Sequence, residues 1–172
     1  MSTGQMMLAL GAVILLSLLI LRFNGTTFTA QEMTMDSKMG ILAISVANSY
    51  IDVAKKKAFD EVVMDTTKPS ITLSDLSSTL GKESGEVYPD FDDFDDYNLP
   101  AGEVIVDTTT LINPSKSTKA TPFYITSKVY YVTTANPNTP AMVKTWNKKL
   151  EVKVWTEGLI DTIRMSTVSS MW

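Results

Sequence analysis

The chain opens with a continuous apolar run. Residues 6–21 read MMLALGAVILLSLLIL, in which Ser17 is the only polar side chain, and residues 1–21 carry no charge. Sixteen helical residues span roughly 24 Å, which is short for a bilayer crossing but within reach of one. The run therefore predicts a helix that lies in a membrane or in the core of a polymer.

A second helical segment follows after a short interruption. Residues 24–27 read NGTT, which lowers helix propensity without a proline, so we expect a helix break at Asn24 and Gly25. Over residues 28–64, apolar side chains recur at three- and four-residue spacing, which predicts an amphipathic helix. Its stripe comprises Met35, Met39, Leu42, Val46, Tyr50 and Val53, widened by Ala43, Ala47, Ala54 and Ala58, whereas Ile41, Ile44 and Ile51 lie off it.

The C-terminal part has the composition of β-strands. β-Branched and aromatic residues concentrate in four runs, residues 103–112, 123–134, 142–156 and 160–169. In the second run Phe123, Ile125, Val129 and Tyr131 alternate with Tyr124, Thr126, Lys128 and Tyr130. Consecutive strands with short connections predict an antiparallel meander. Its apolar face needs a cover, and the long N-terminal helix is the candidate.

These patterns predict an α+β fold, in which a long N-terminal helix with an apolar first half packs through its amphipathic second half on a four-stranded antiparallel sheet. This interpretation divides the chain into four segments. They are an apolar helix with its break (residues 1–27), an amphipathic helix (28–64), an acidic irregular region (65–102) and an antiparallel β-domain (103–172).

Charge is distributed unevenly along the chain. The net charge is −4, yet residues 60–107 contain thirteen Asp and Glu against two Lys, and residues 108–172 are basic. Five carboxylates fall within residues 90–96, and hard cations bind carboxylate oxygens, so a calcium loop is one interpretation. The other is a solvated acidic loop anchored by Phe91, Phe94 and Tyr97, because a run of charges is usually solvated. The candidate calcium ligands are Asp90, Asp92, Asp93, Asp95 and Asp96.

Composition argues against most enzyme chemistries. The chain has no cysteine and no histidine, and therefore no thiolate nucleophile, no imidazole base and none of the usual zinc ligand sets. No recognisable pair of nucleophile and base suggests a hydrolase. Basic residues are not interleaved with aromatics as in nucleic-acid interfaces. We expect no enzymatic activity, no cofactor and no nucleic-acid partner.

The order of these segments resembles that of type IV pilins and pseudopilins: an apolar helix, an amphipathic continuation, a variable loop and an antiparallel sheet. In that family a polar residue, usually glutamate, stands at the fifth mature position before the apolar run. With Met1 as the first mature residue, Gln5 takes that place; cleavage after Gly4 would place Ala9 there. The chain begins MSTGQ without a basic residue, so a cleaved secretory signal is not expected.

The resemblance implies a structural subunit of an extracellular type IV pilus-like filament. Such a subunit is anchored in the inner membrane before assembly. The pilus assembly machinery then incorporates it into a filament on the cell surface, where it packs with copies of itself. The helix residues expected to mediate assembly are Gln5, Met6, Leu8, Leu10, Val13, Leu16, Leu19 and Ile20. The alternative is a single-pass, membrane-anchored extracytoplasmic binding or assembly protein, similar to a minor pseudopilin. Arg22, which follows the run, would by the positive-inside rule lie in the cytoplasm.

Overall fold

The computed structural model describes residues 2–68, 70–111 and 119–171, and for residues 109–111, 119 and 120 the backbone alone. The chain divides into two compact units, Met1–Met39 and Gly40–Trp172. Helix α1 runs from Thr3 to Ala54. The predicted α+β fold is confirmed, because the second unit packs the end of this helix on a four-stranded antiparallel sheet.

The predicted break at Asn24 and Gly25 is wrong, because α1 continues through both residues without interruption. Three hydroxyls in this stretch donate to carbonyls of the preceding turn: Thr26 to Phe23 at 2.9 Å, Thr27 to Phe23 at 2.9 Å and Thr29 to Gly25 at 3.1 Å. One glycine costs a helix interior about 1 kcal/mol, which the hydrogen bonds of the flanking turns outweigh.

The helix also ends earlier than predicted, at Ala54 rather than near residue 64. Beyond Lys57 the chain meets the acidic region, where Ala58 N donates to Asp92 O at 3.3 Å and Ala58 O accepts from Phe94 N at 2.8 Å. These are tertiary bonds, and they divert the backbone from the helical path. A short helix α2, Glu61–Met64, follows, with Asp60 as its N-cap. Residues 65–102 are otherwise irregular among the described positions, apart from a single 3₁₀ turn, Asp95–Tyr97.

The sheet is a meander of β1 (Ile105–Leu111), β2 (Lys119–Tyr131), β3 (Asn147–Trp155) and β4 (Ile163–Ser170), each antiparallel to its neighbour. Three of the four strands are shorter than their predicted runs. The end of the first predicted run, at Ile112, and the turn Asn113-Pro114 lie outside the described residues. The alternation predicted for β2 is confirmed, because its Phe123 face is buried. That face continues into β3, where Ile125 pairs with Val154 and Val129 with Leu150.

The helix covers this buried face through small side chains. Six residues of α1 are buried at helical spacing: Ala43, Val46, Ala47, Tyr50, Ile51 and Ala54. Ile51, expected off the stripe, belongs to it, whereas Val53 remains partly exposed. A polar contact sets the depth of packing, because the Tyr50 hydroxyl lies 2.9 Å from Ser127 Oγ, which in turn donates to Tyr97 O at 2.6 Å. Three alanines of this face, Ala43, Ala47 and Ala54, are completely buried.

Enlarging the fully buried Ala47 therefore tests this packing. We expect Ala47→Leu to lower the free energy of unfolding by about 1–3 kcal/mol, because extra methylenes in a filled core force strain. The measurement is chemical unfolding of the full chain in detergent, followed by near-ultraviolet circular dichroism. Ser49→Leu, at an exposed position two residues away, is the control and should change little. Equal losses in the two variants would contradict close packing at Ala47.

Candidate functional site

The unit Met1–Met39 carries an apolar surface with nothing of its own to cover it. From Met6 to Leu21 the large apolar side chains are between 51% and 78% exposed, with no side that is buried. The segment is long and apolar enough to cross a membrane. All seven apolar side chains predicted to mediate assembly lie on this surface: Met6, Leu8, Leu10, Val13, Leu16, Leu19 and Ile20.

Polar side chains in this unit bond to their own helix. Ser17 donates to Val13 O at 2.8 Å, and Thr34 and Ser37 donate to the carbonyls four residues before them, as the threonines at 26–29 also do. At the helix start Gln5 Oε1 accepts from Ser2 N at 3.3 Å. A hydroxyl satisfied in this way needs no water, so it can enter lipid or a helix interface at little cost.

In the unit Gly40–Trp172 the most unusual feature is a fully buried lysine, Lys148 on β3. Its ammonium donates to Phe59 O at 2.8 Å, to Asp60 Oδ2 at 2.8 Å and, by a short contact, to Asp95 Oδ1. These bonds use all three of its protons. The nitrogen also lies 4.7 Å from the centre of the Phe59 ring, which adds a cation–π contact.

The two aspartates that face Lys148 differ in their electrostatics. Burial opposes ionisation of Asp60, but hydrogen bonds from Lys148 and Ser77 outweigh it, so the pKa of Asp60 lies below its usual value. Ser77 contributes both its backbone N, at 3.0 Å, and its hydroxyl, at 2.9 Å. Burial raises the pKa of Asp95 to about 8, against the attraction of Lys148 and with repulsion from Asp93. The same ammonium therefore contacts two carboxyl groups whose pKa values are shifted in opposite directions.

The acidic run is not the solvated loop that its composition suggests. Asp93, Asp95 and Asp96 are almost completely buried. Their short side chains satisfy the backbone of a tight turn: Asp93 Oδ1 accepts from the amides of residues 95 and 96, at 2.8 and 3.2 Å. Asp96 Oδ2 accepts from the amides of residues 92 and 93, at 3.0 and 3.1 Å. Aspartate suits this position because its carboxylate can replace missing backbone acceptors.

The predicted aromatic anchors are confirmed. Phe91, Phe94 and Tyr97 are fully or almost fully buried. Tyr97 makes edge-to-face contacts with Tyr50 of α1, at 5.0 Å between ring centres, and with Phe91, at 5.2 Å. Such contacts are favourable beyond the area they bury. The aromatic side chains thus hold the acidic run inside the second unit.

The five carboxylates proposed as one calcium loop do not converge on one point. The carboxylate of Asp95 contacts the ammonium of Lys148, whereas a carboxylate oxygen of Asp96 lies within 4.8 Å of oxygens of Glu83 and Glu86. The motifs of the sequence did not indicate Lys148, Asp60, Glu83 and Glu86 as site residues. The alternation of β3 was the available signal for Lys148, because its position in the register places it on the same face as Leu150 and Val152. A lysine at an apolar position of a strand indicates a buried ion pair.

We compared the chain with protein-family models, with curated proteins and with solved structures, and none of them matched.

Replacing Lys148 with methionine removes the ammonium and keeps a similar length. We expect Lys148→Met to lower the free energy of unfolding by about 3–5 kcal/mol, because Asp60 and Asp95 would remain buried without their cation. Denaturant unfolding of the full chain in detergent measures the loss. Lys153→Met, on the exposed face of the same strand, is the matched control, with an expected change within about 0.5 kcal/mol. A loss no larger than the control's would refute the structural role of Lys148.

Proposed function

We propose that the chain is a structural subunit of an extracellular, type IV pilus-like filament that self-assembles through its N-terminal apolar helix. The supporting observation is that the large apolar side chains from Met6 to Leu21 are exposed all round the helix. Exposed apolar surface of this extent requires lipid or other proteins to cover it. Inner-membrane lipid covers it before assembly, and the same helices of neighbouring copies cover it in the filament.

A second observation favours a filament over a simple membrane anchor. Exposed apolar side chains continue past Arg22, at Phe28 (64%), Met33 (67%) and Met35 (48%). Met33 lies eleven residues beyond Arg22, roughly 16 Å along the helix. An anchor needs no apolar surface there, whereas a helix that packs against neighbouring copies does. Packing of this kind is heterologous, and repeated without closure it builds a helical polymer.

The alternative function is a membrane-anchored extracytoplasmic protein that binds or assembles others, similar to a minor pseudopilin. Arg22 is the observation that favours it. An arginine directly after an uncharged span is typical of the cytoplasmic side, which would reverse the orientation that a filament subunit needs. In that case the unit Gly40–Trp172 would act without forming a polymer.

A charge within the apolar run tests whether the run must be buried. We expect Leu16→Glu to abolish filaments, because a carboxylate at the centre of an apolar helix costs several kcal/mol in lipid and in a helix bundle. Electron microscopy of material sheared from the cell surface, with mass spectrometry of the polymer, provides the measurement. Met142→Glu adds the same charge at an exposed apolar position of the second unit and should leave filaments intact. Filaments that persist in Leu16→Glu would exclude the run as their core.

A charge beyond the run separates the two functions. We expect Met33→Glu to leave the chain in the membrane fraction but to reduce filament yield at least tenfold, since neighbouring helices would have to bury the new carboxylate. Cell fractionation and the same microscopy measure the two effects. If the wild type forms no filaments and is recovered only in detergent extracts, the anchor is the correct function. Normal filaments in Met33→Glu would show that this surface is not an interface.

A further inference from the structure

Three carboxylates converge at the edge of the acidic region. One side-chain oxygen each of Glu83, Glu86 and Asp96 lies within 4.8 Å of the other two. Glu83 is exposed, Glu86 is half-buried and Asp96 is fully buried. The cluster therefore has a buried floor and an open side, through which a small ion can enter from solvent.

The floor of this cluster has an unpartnered oxygen. Asp96 Oδ2 accepts two backbone amides, but Asp96 Oδ1 is buried and accepts from no N–H or hydroxyl of the described residues; the other side-chain contact of Asp96 is with the carboxyl group of Glu83. The neighbouring oxygens Asp93 Oδ2 and Asp92 Oδ1 share this condition. A buried carboxylate oxygen without a donor costs several kcal/mol, and buried polar atoms in proteins nearly always have a partner. Three such atoms in five residues indicate a partner that is not part of the chain.

Two lysines of this unit form ion pairs with carboxylates outside the cluster. Lys148 pairs with Asp60 and Asp95, and Lys82 pairs with Glu103. In the part of the chain that the structure describes, no lysine or arginine nitrogen lies within ion-pair distance of the three converging carboxylates.

The local backbone presents both glutamates on one side. Glu83 and Glu86 flank a tight turn in which Glu86 N donates to Glu83 O at 3.3 Å and Glu83 N donates to Glu86 Oε2 at 2.9 Å. Gly85, with φ +104°, allows this turn because a side chain there would be strained. The turn holds the two glutamates near Asp96, although thirteen residues of sequence separate Glu83 from it.

We propose that Glu83, Glu86 and Asp96 form a calcium site. Calcium accepts six to eight oxygen ligands at about 2.3–2.6 Å, so oxygens on opposite sides of the ion are about 4.6–5.2 Å apart. The spacing of the cluster falls within this limit. Magnesium demands shorter bonds of about 2.0–2.1 Å and strict octahedral geometry, which suits this open cluster less well.

Bound calcium would tie the turn at residues 83–86 to the buried acidic run. The experiment uses the full chain in detergent, stripped with a chelator and titrated with calcium chloride by calorimetry, with thermal unfolding measured in parallel. We expect a dissociation constant of about 0.1–1 mM, the range of extracellular calcium modules. Calcium should also raise Tm. No binding heat and no Tm shift in the wild type would overturn the site.

The double variant Glu83→Gln with Glu86→Gln keeps side-chain size and removes two ligands near the surface. We expect it to bind calcium about 10–100-fold more weakly. In chelator it should be at least as stable as the wild type, because repulsion is relieved. Glu157→Gln, exposed on the turn between β3 and β4, is the control and should bind like the wild type. Unchanged calcium binding in the double variant, or a lower Tm in chelator, would refute the site. Equal stabilisation of the wild type by magnesium would contradict the calcium assignment.

Discussion

The ammonium of Lys148 joins three parts of the C-terminal unit that are distant in sequence: strand β3, the segment that follows α1, and the acidic run. A charge in an apolar interior cannot be left unpaired, so the positions of Asp60, Asp95 and β3 depend on one another. This constraint accounts for the early end of α1. The chain leaves the helix after Ala54 so that Phe59 and Asp60 can reach the lysine, although the side chains beyond Ala54 would suit a longer helix.

The burial of the acidic run likewise depends on partners for its polar groups. Asp93 and Asp96 replace backbone acceptors within a tight turn, Asp95 contacts Lys148, and Phe91, Phe94 and Tyr97 fill the space between helix and sheet. Alternating aspartates and aromatics thus build a small polar core beside an apolar one. Near Glu83 and Glu86, buried carboxylate oxygens of the acidic run lack N–H or hydroxyl donors among the described residues, and the proposed calcium ion would supply a positively charged partner there.

The unit Met1–Met39 shows the opposite arrangement, with apolar side chains outside and its hydroxyls bonded to the helix backbone. Its apolar character could be recognised from sequence because a run of sixteen residues with Ser17 as its only polar side chain requires no tertiary information. The continuity of the helix through Asn24 and Gly25 could not be predicted, because helix propensity describes each residue without the helical turns that flank it. The backbone hydrogen bonds of the helical turns on both sides outweigh the local cost. Likewise the burial of Ile51 could not be predicted, because the period of the apolar residues does not show how wide an arc of the helix the rest of the unit covers.

By itself the sequence determined the classes of element and their order: an apolar helix, an amphipathic continuation, an irregular acidic region and a meander whose strands alternate. These follow from the period of the apolar side chains, which each segment carries locally. Only the tertiary structure decided where α1 ends, that the aspartates at 93–96 are buried, and that Lys148 and the pair Glu83 and Glu86 belong with them. A charged residue shows its burial in the sequence only where it shares the period of an apolar face, as Lys148 does in β3. The partners of the buried charges are brought close by the fold, here up to 89 positions apart in sequence.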